Sequence, residues 1–334
     1  MKINRMISAI DTHTCGAPTR NIIGGLPYIP GKTMSDKMKY FQEKYDKLRT
    51  MLMFEPRGRS NMSGAIFTEP CHPDADIGVF FIEVGGYLPM CGHSTIGCCT
   101  ALVETGMIST TEPITLASLD TPAGLIKVKL EIENNYCKSV TIRNIPSFLY
   151  ASNVDILIKD IGKIYVDIAY GGNFYAIVEA ASVGLSILPE NANQIITMGK
   201  FIREAVNKKI KVRHPEKEFI NDVTHVQFYG PPTHKDAHAK NVVVILPGAI
   251  SRSPCGTGTS ARLATMYAKK EIKMGEEFVY ESPIGTIFKA KIVEEVTVGS
   301  FKAVINEITG SAYVTGIHQF VVDNNDPLKE GFYI

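Results

Sequence analysis

Ser253-Pro254-Cys255-Gly256-Thr257-Gly258-Thr259-Ser260 separates a strand-like run, Asn241 to Pro247, from a helix-like run, Ala261 to Lys270. A cysteine at a strand-to-helix turn sits beside backbone N–H groups and the positive end of the helix dipole. That setting lowers a thiol pKa from about 8.5 into a range of roughly 3.5–7.5, so a reactive thiolate is expected. The glycines let a second molecule approach the backbone, and the N–H groups suit a carboxylate or phosphate. About half the chain upstream, Met90-Cys91-Gly92-His93-Ser94-Thr95 repeats the Cys-Gly-x-x-Thr core and opens an apolar helix, Ile96 to Glu104.

Outward from these two turns the order of elements also repeats. Met6 to Ile10 reads as a strand running into a polar turn. Ser35 is a candidate cap for a helix with Met38, Phe41, Tyr45, Leu48 and Leu52 on one face. Strands at Ala65 to Thr68 and Gly78 to Val84 lead to Cys91. In the second half, strands near 164–168 and 176–180 precede a helix from about Asn191 to Lys208, with Ile195, Met198, Ile202 and Ala205 on one face. Ile114 to Ile142 is β-rich, and Pro122-Ala123-Gly124 within it is the candidate crossing between domains. The tail after Gly310 is strand-like, with a return to the first domain expected. The spacing predicts a first domain of residues 1–125 plus 310–334, carrying Cys91, and a second of 126–309, carrying Cys255.

Composition excludes several classes. The 334 residues hold 35 basic and 34 acidic side chains, net +1, which favours neither nucleic acid nor an anionic membrane. The N-terminus, Met1 to Arg5, lacks the apolar core of a signal peptide, and no run approaches the ~20 apolar residues of a membrane span. Seven scattered cysteines without a CxxC pair favour reduced thiols in the cytoplasm over a disulfide framework or a structural zinc site. Cys98 and Cys99 read as core packing, and His13 and His234 as structural. His93 either orients a ligand or satisfies the helix start.

Two motifs point elsewhere. Gly25 to Thr33 resembles a P-loop but has five residues between its glycines and two prolines, so it reads as a turn. Gly256-Thr257-Gly258-Thr259-Ser260-Ala261 matches a dinucleotide fingerprint, with Glu281 downstream. The β-rich remainder of the chain lacks the further helices a Rossmann unit needs.

Met90-Cys91-Gly92-His93 and Ser253 to Thr259 resemble the two signature motifs of the proline racemase family, which includes hydroxyproline 2-epimerases. The likeness extends to Asp11-x-His13-Thr14, Glu55-Pro56-Arg57-Gly58, Pro73-x-Ala75-Asp76, Gly171-Gly172-x-Phe174 and Asp326-Pro327. The resemblance implies an α/β fold of two pseudo-symmetric domains of the diaminopimelate-epimerase type, each a curled β-sheet around a central helix. It implies a proline or hydroxyproline substrate between the domains, no cofactor, and a homodimer. Cys91 and Cys255 would be the catalytic pair, one thiolate and one thiol flanking the substrate Cα. Gly92, His93, Gly256, Thr257 and Gly258 would hold the carboxylate.

The intact Cys255 argues for racemisation or epimerisation over dehydration, which in this family goes with threonine there. Ser251 stands where an aspartate commonly contacts the ring nitrogen, Ala17 where a glutamate is usual, and Arg59 and Asn61 for histidine and aspartate. Ser63 replaces a phenylalanine that closes the pocket against the ring, which leads to an expectation of activity on both proline and 4-hydroxyproline. The alternatives are a hydroxyproline 2-epimerase alone, or an amino-acid-binding homologue without catalysis.

Overall fold

The computed structural model describes residues 3–218, 220–245 and 248–334, with the side chains of Ile3 and Asn4 excepted. Leu246 and Pro247, the end of the strand expected at 241–247, lie outside the described residues, as do Met1 and Lys2. The chain divides into two compact units, Met1–Ile142 with Gly310–Ile334, and Arg143–Thr309.

The first unit begins with β1 (Ile3–Thr14) and β2 (Ala17–Gly24), an antiparallel hairpin, followed by α1 (Met34–Met53). Thr33, not Ser35, caps α1. Its hydroxyl accepts from the Asp36 N–H while the Asp36 carboxylate accepts from the Thr33 N–H, so two orphan amide donors are satisfied reciprocally. Of the expected apolar face, Phe41 and Leu52 are buried, and Met38, Tyr45 and Leu48 pack at its margin.

From α1 the chain enters β3 (Ser63–Thr68), parallel to β2, and then β4 (Ile77–Glu83) and the short β5 (Gly86–Leu88). Next come α2 (Gly92–Glu104), β6 (Ile114–Thr121) parallel to β4, β7 (Gly124–Glu133) and β8 (Tyr136–Arg143). Pro122-Ala123 is the hairpin turn between β6 and β7, whose register runs from Ile114↔Glu131 to Thr121↔Gly124. The chain therefore stays in the same sheet. The boundary expected at 125/126 falls instead after Ile142, because β7 and β8 complete that meander.

In the second unit β9 (Ser147–Ile158) and β10 (Gly162–Tyr170) form a hairpin, and β11 (Phe174–Glu179) pairs with β10. The helix α3 (Ala192–Lys209) crosses to β12 (His225–Gly230), parallel to β11. Ile195 and Ile202 on its apolar face are buried. β13 (Ala239–Ile245) and the two-residue β14 (Ala249–Ile250) lead to α4 (Gly256–Ala268), which crosses to β15 (Glu277–Glu281), parallel to β13. β16 (Ile287–Val298) and β17 (Phe301–Gly310) follow, and β17 pairs back onto β9, closing the sheet. The last strand, β18 (Ala312–Asp323), belongs to the first unit and pairs antiparallel with β1 from Ile3↔Asp323 to Thr14↔Ala312.

Each unit is thus a curled mixed sheet around one helix. α2 packs against β1, β2, β3 and β18, and α4 against β9, β10, β11 and β16. Both are short and rich in Gly, Ser, Thr and Ala, which lets a helix fit inside a tightly curved sheet. The opposite faces of the strands, at Phe80 and Ile82 and at Phe228 and Val242, pack instead in the apolar clusters that hold α1 and α3.

Candidate active site

Both helices begin one residue after a cysteine, earlier than the runs Ile96 to Glu104 and Ala261 to Lys270 suggest. Cys91 and Cys255 occupy the N-cap positions, and each cysteine carbonyl accepts the first intrahelical bond, from Thr95 N and Thr259 N respectively. In both helices the N–H groups of the three residues after the cysteine have no i−4 carbonyl to pair with. They are Gly92, His93 and Ser94 in one unit and Gly256, Thr257 and Gly258 in the other. Each unit therefore presents a thiol next to a cluster of amide donors at the positive end of a helix.

In the first unit Cys91 is buried, with Sγ 3.4 Å from His93 Nδ1. Burial pushes the His93 imidazole down to about 4, against a hydrogen bond to the Pro18 carbonyl, so at neutral pH the ring is uncharged. Its backbone is pinned from β1, where the Thr14 hydroxyl donates to the His93 carbonyl at 2.7 Å. From β2 the Thr19 hydroxyl donates to Ser94 Oγ at 3.2 Å. Ser63 lies at the start of β3, buried, and its hydroxyl donates to Glu83 Oε1 at 3.2 Å. Burial raises the Glu83 carboxyl to about 7. While Glu83 is ionised the Ser63 proton is directed at it, which leaves the hydroxyl's lone pairs as acceptors.

In the second unit Cys255 is half-buried and holds a left-handed φ of 65°, a strained conformation for a residue with a Cβ. Tyr175 Oη lies 3.4 Å from its Sγ and 2.6 Å from Thr257 Oγ1. Gly258 keeps this corner uncrowded. A Cβ there would meet Cys255 Sγ at 3.1 Å and both Tyr175 Cε1 and Gln227 Nε2 at 3.3 Å. Gly171 is required, because a Cβ there would meet the Thr257 carbonyl oxygen at 2.2 Å. Ser251, buried in the loop before the cysteine, donates to the Ser253 carbonyl at 3.2 Å, which leaves its oxygen lone pairs as acceptors. Such a group fits the protonated nitrogen of an amino acid more weakly than a carboxylate would.

Within the first unit Cys91, Gly92 and His93 share the helix start, while Ser63 stands at the head of a neighbouring strand. Within the second, Cys255, Gly256, Thr257 and Gly258 share theirs, and Ser251 lies just upstream. Tyr175 and His225 escape a reading of sequence alone. Tyr175 directly follows the Gly171-Gly172-x-Phe174 motif, and its register partner on β12 is His225, with ring centroids 4.9 Å apart. The signal is the strand pairing, which no local pattern displays. His13, set aside as structural, accepts from Gly16 N through Nδ1 at its hairpin tip. His234 accepts from Asp236 N in the same way.

A helix N-terminus with cysteine at the N-cap position, inside a curled sheet, is thus the architecture of both units. The chain belongs to the proline racemase family, whose model matches residues 9–333. It is 48% identical to a proline racemase of Clostridioides difficile, over the full length of both chains. It is 47% identical to a 4-hydroxyproline 2-epimerase of Streptosporangium roseum, also over the full length of both. A hydroxyproline epimerase from Agrobacterium vitis, solved with bound trans-4-hydroxy-L-proline, superposes with a TM-score of 0.93 at 35% identity, covering 100% of this chain and 97% of the other. The similarity to racemase and to epimerase is nearly equal, so overall identity does not choose between substrates.

Proposed function

We propose that the chain racemises proline and epimerises 4-hydroxyproline at C2, without a cofactor, using Cys91 and Cys255 as the two proton-transfer groups. The observation that carries this reading is the duplication itself: the same thiol at the same cap position of the same kind of helix in both units. A single base cannot easily reach both faces of one carbon, so two such groups suit racemisation. A thiolate takes the Cα proton and becomes a thiol, and a thiol on the opposite face gives its proton to the carbanion and becomes a thiolate. The amide clusters after each cysteine bind the carboxylate and stabilise the charge it gains as the Cα–H bond breaks.

The acceptor character of Ser63 supports the wider substrate range. A substrate hydroxyl entering beside it keeps a hydrogen-bond partner, which removes the desolvation penalty an apolar wall would impose. Ser251 takes the ring nitrogen.

The test incubates the protein in D2O, without pyridoxal phosphate, with L-proline, trans-4-hydroxy-L-proline or 3-hydroxyproline. Cα deuterium and chirality are followed by NMR and chiral chromatography. Deuterated D-proline and cis-4-hydroxy-D-proline are expected. Turnover of 4-hydroxyproline alone would identify a hydroxyproline 2-epimerase. Calorimetric binding without any Cα exchange would identify a binding protein.

A further inference from the structure

Tyr175, Thr257 and Cys255 form a triangle of polar atoms in which the phenol oxygen lies 2.6 Å from Thr257 Oγ1 and 3.4 Å from Cys255 Sγ, and the third side, Thr257 Oγ1 to Sγ, is the longest at 3.9 Å. The phenol has one proton for two contacts. When Cys255 is a thiolate, both contacts are made only if Thr257 donates to the phenol oxygen and the phenol donates to sulfur. When Cys255 is a thiol, its S–H donates to the phenol oxygen and the phenol donates to Thr257. The direction of the relay therefore follows the charge on the sulfur, and a donor aimed at an anion is the stronger arrangement of the two.

We propose that Tyr175 is a positioning residue that acts through Cys255, using the Thr257–Tyr175 relay to favour the thiolate over the thiol. Its ring is fully buried on β11, so the phenol is pre-oriented. In the first unit the corresponding place in the strand pairing is Thr19, opposite Ser63 as Tyr175 is opposite His225. Thr19 spends its hydroxyl on Ser94 Oγ. The two thiols are thus served by different chemistry, an imidazole beside Cys91 and a phenol beside Cys255.

The other titratable and charged groups around this triangle do not mimic the effect. His225 on β12 is neutral above about pH 4, and Tyr280 on β15 is held protonated by burial. Arg262 on α4, stacked over Tyr229, keeps its charge throughout. The Arg252 guanidinium, also permanently charged, donates to the Ile250 carbonyl.

The experiment reads the pH dependence of iodoacetamide alkylation at Cys255, peptide by peptide, in the full-length protein and in Tyr175→Phe. Loss of the phenolic oxygen should raise the Cys255 midpoint by about one pH unit, roughly tenfold less thiolate below it. The half-exposed Cys71 in the same digest should keep its midpoint, and the acid limb of kcat/KM should move with Cys255. Thr257→Val, which leaves the phenol without its donor, should shift the midpoint in the same direction by less, and it carries the test should Tyr175→Phe fail to fold. An unmoved Cys255 midpoint, or a Cys71 midpoint that moves with it, overturns the relay. The proposal rests on Cys255 being a proton-transfer thiol, but alkylation needs no turnover. A shifted midpoint in a protein that does not turn over proline or 4-hydroxyproline would overturn the function and leave the relay standing.

Discussion

Cys91 and Cys255 cap equivalent helices, but the backbone reaches them differently. Cys91 is extended, at φ −142°, while Cys255 is left-handed, at φ 65°. The first thiol is buried beside a neutral imidazole, and the second is half-buried beside a phenol. What the units share is the helix, which supplies amide donors and a dipole. What differs comes from the strands and loops around it. A duplicated fold keeps the cluster of amide donors in both copies because it is backbone, and lets the side chains around each thiol diverge.

The most severe way to break the equivalence is to remove one thiol. Cys91→Ser and Cys255→Ser should each lower racemisation by about 10³-fold or more, since a hydroxyl is a far poorer base than a thiolate near neutral pH. Optical rotation of L-proline measures it. A single variant that retains activity would show that one cysteine suffices and that the duplication is not the mechanism.

The two turns were legible in the sequence because each carries its own local signature of cysteine, glycine and a following apolar helix. The amphipathic faces of α1 and α3 were legible for the same reason. A second echo was missed. Cys71-His72-Pro73-Asp74-Ala75 and Thr233-His234-Lys235-Asp236-Ala237 form matching loops, each His Nδ1 accepting from the Asp N–H two residues on. Asp120 and Glu281 each clamp two backbone amides of their loop. Glu281, weighed as the acidic partner of a dinucleotide fingerprint, is instead buried and paired with Lys240. Such carboxylates act across strands that meet only after the chain has folded, so no spacing reveals them. The cap of α1 and the 142/143 boundary were hidden in the same way, by a choice between neighbouring hydroxyls and by a hairpin that outlasts its turn residues.

The histidines next to each site sharpen the comparison through pH. His93 and His225 are both held neutral by burial, with folded-state values of about 4 against an ordinary value near 6.5. The unfolded chain therefore binds protons that the folded chain refuses. Stability is fully present above about pH 6.5 and is lost as pH falls toward 4, by about 2–3 kcal/mol for each histidine. His93→Asn and His225→Asn should each flatten the acid limb of a denaturant-derived stability curve. Flattening by one variant alone would show that the two histidines are not buried alike.

Ser63 tests the asymmetry at the substrate. Ser63→Phe should depress kcat/KM for trans-4-hydroxy-L-proline about tenfold more than for L-proline, because it replaces an acceptor with an apolar wall. Equal losses on both substrates would mean that Ser63 serves Glu83 and the strand pair rather than the substrate.

The smallest effect isolates the backbone. At Cys91 the extended φ suits any residue, so Cys91→Gly should exceed Cys91→Ala only by the ordinary N-cap preference for Gly, about 0.5–1 kcal/mol. At Cys255 a Cβ is held at φ 65° and ψ 105°, a region populated mainly by glycine, at a cost of about 1–3 kcal/mol. The advantage of Cys255→Gly over Cys255→Ala should therefore exceed the advantage of Cys91→Gly over Cys91→Ala by about 1 kcal/mol or more, although all four lack the thiol. Comparing Ala with Gly at each position cancels the lost sulfur and leaves the backbone term, readable as a difference in urea midpoints. A Gly–Ala difference at Cys255 no larger than the one at Cys91 would show that the turn relaxes once the sulfur is gone. The strain would then be imposed by the contacts of the thiol with Tyr175 and Thr257 and not by the loop that delivers it.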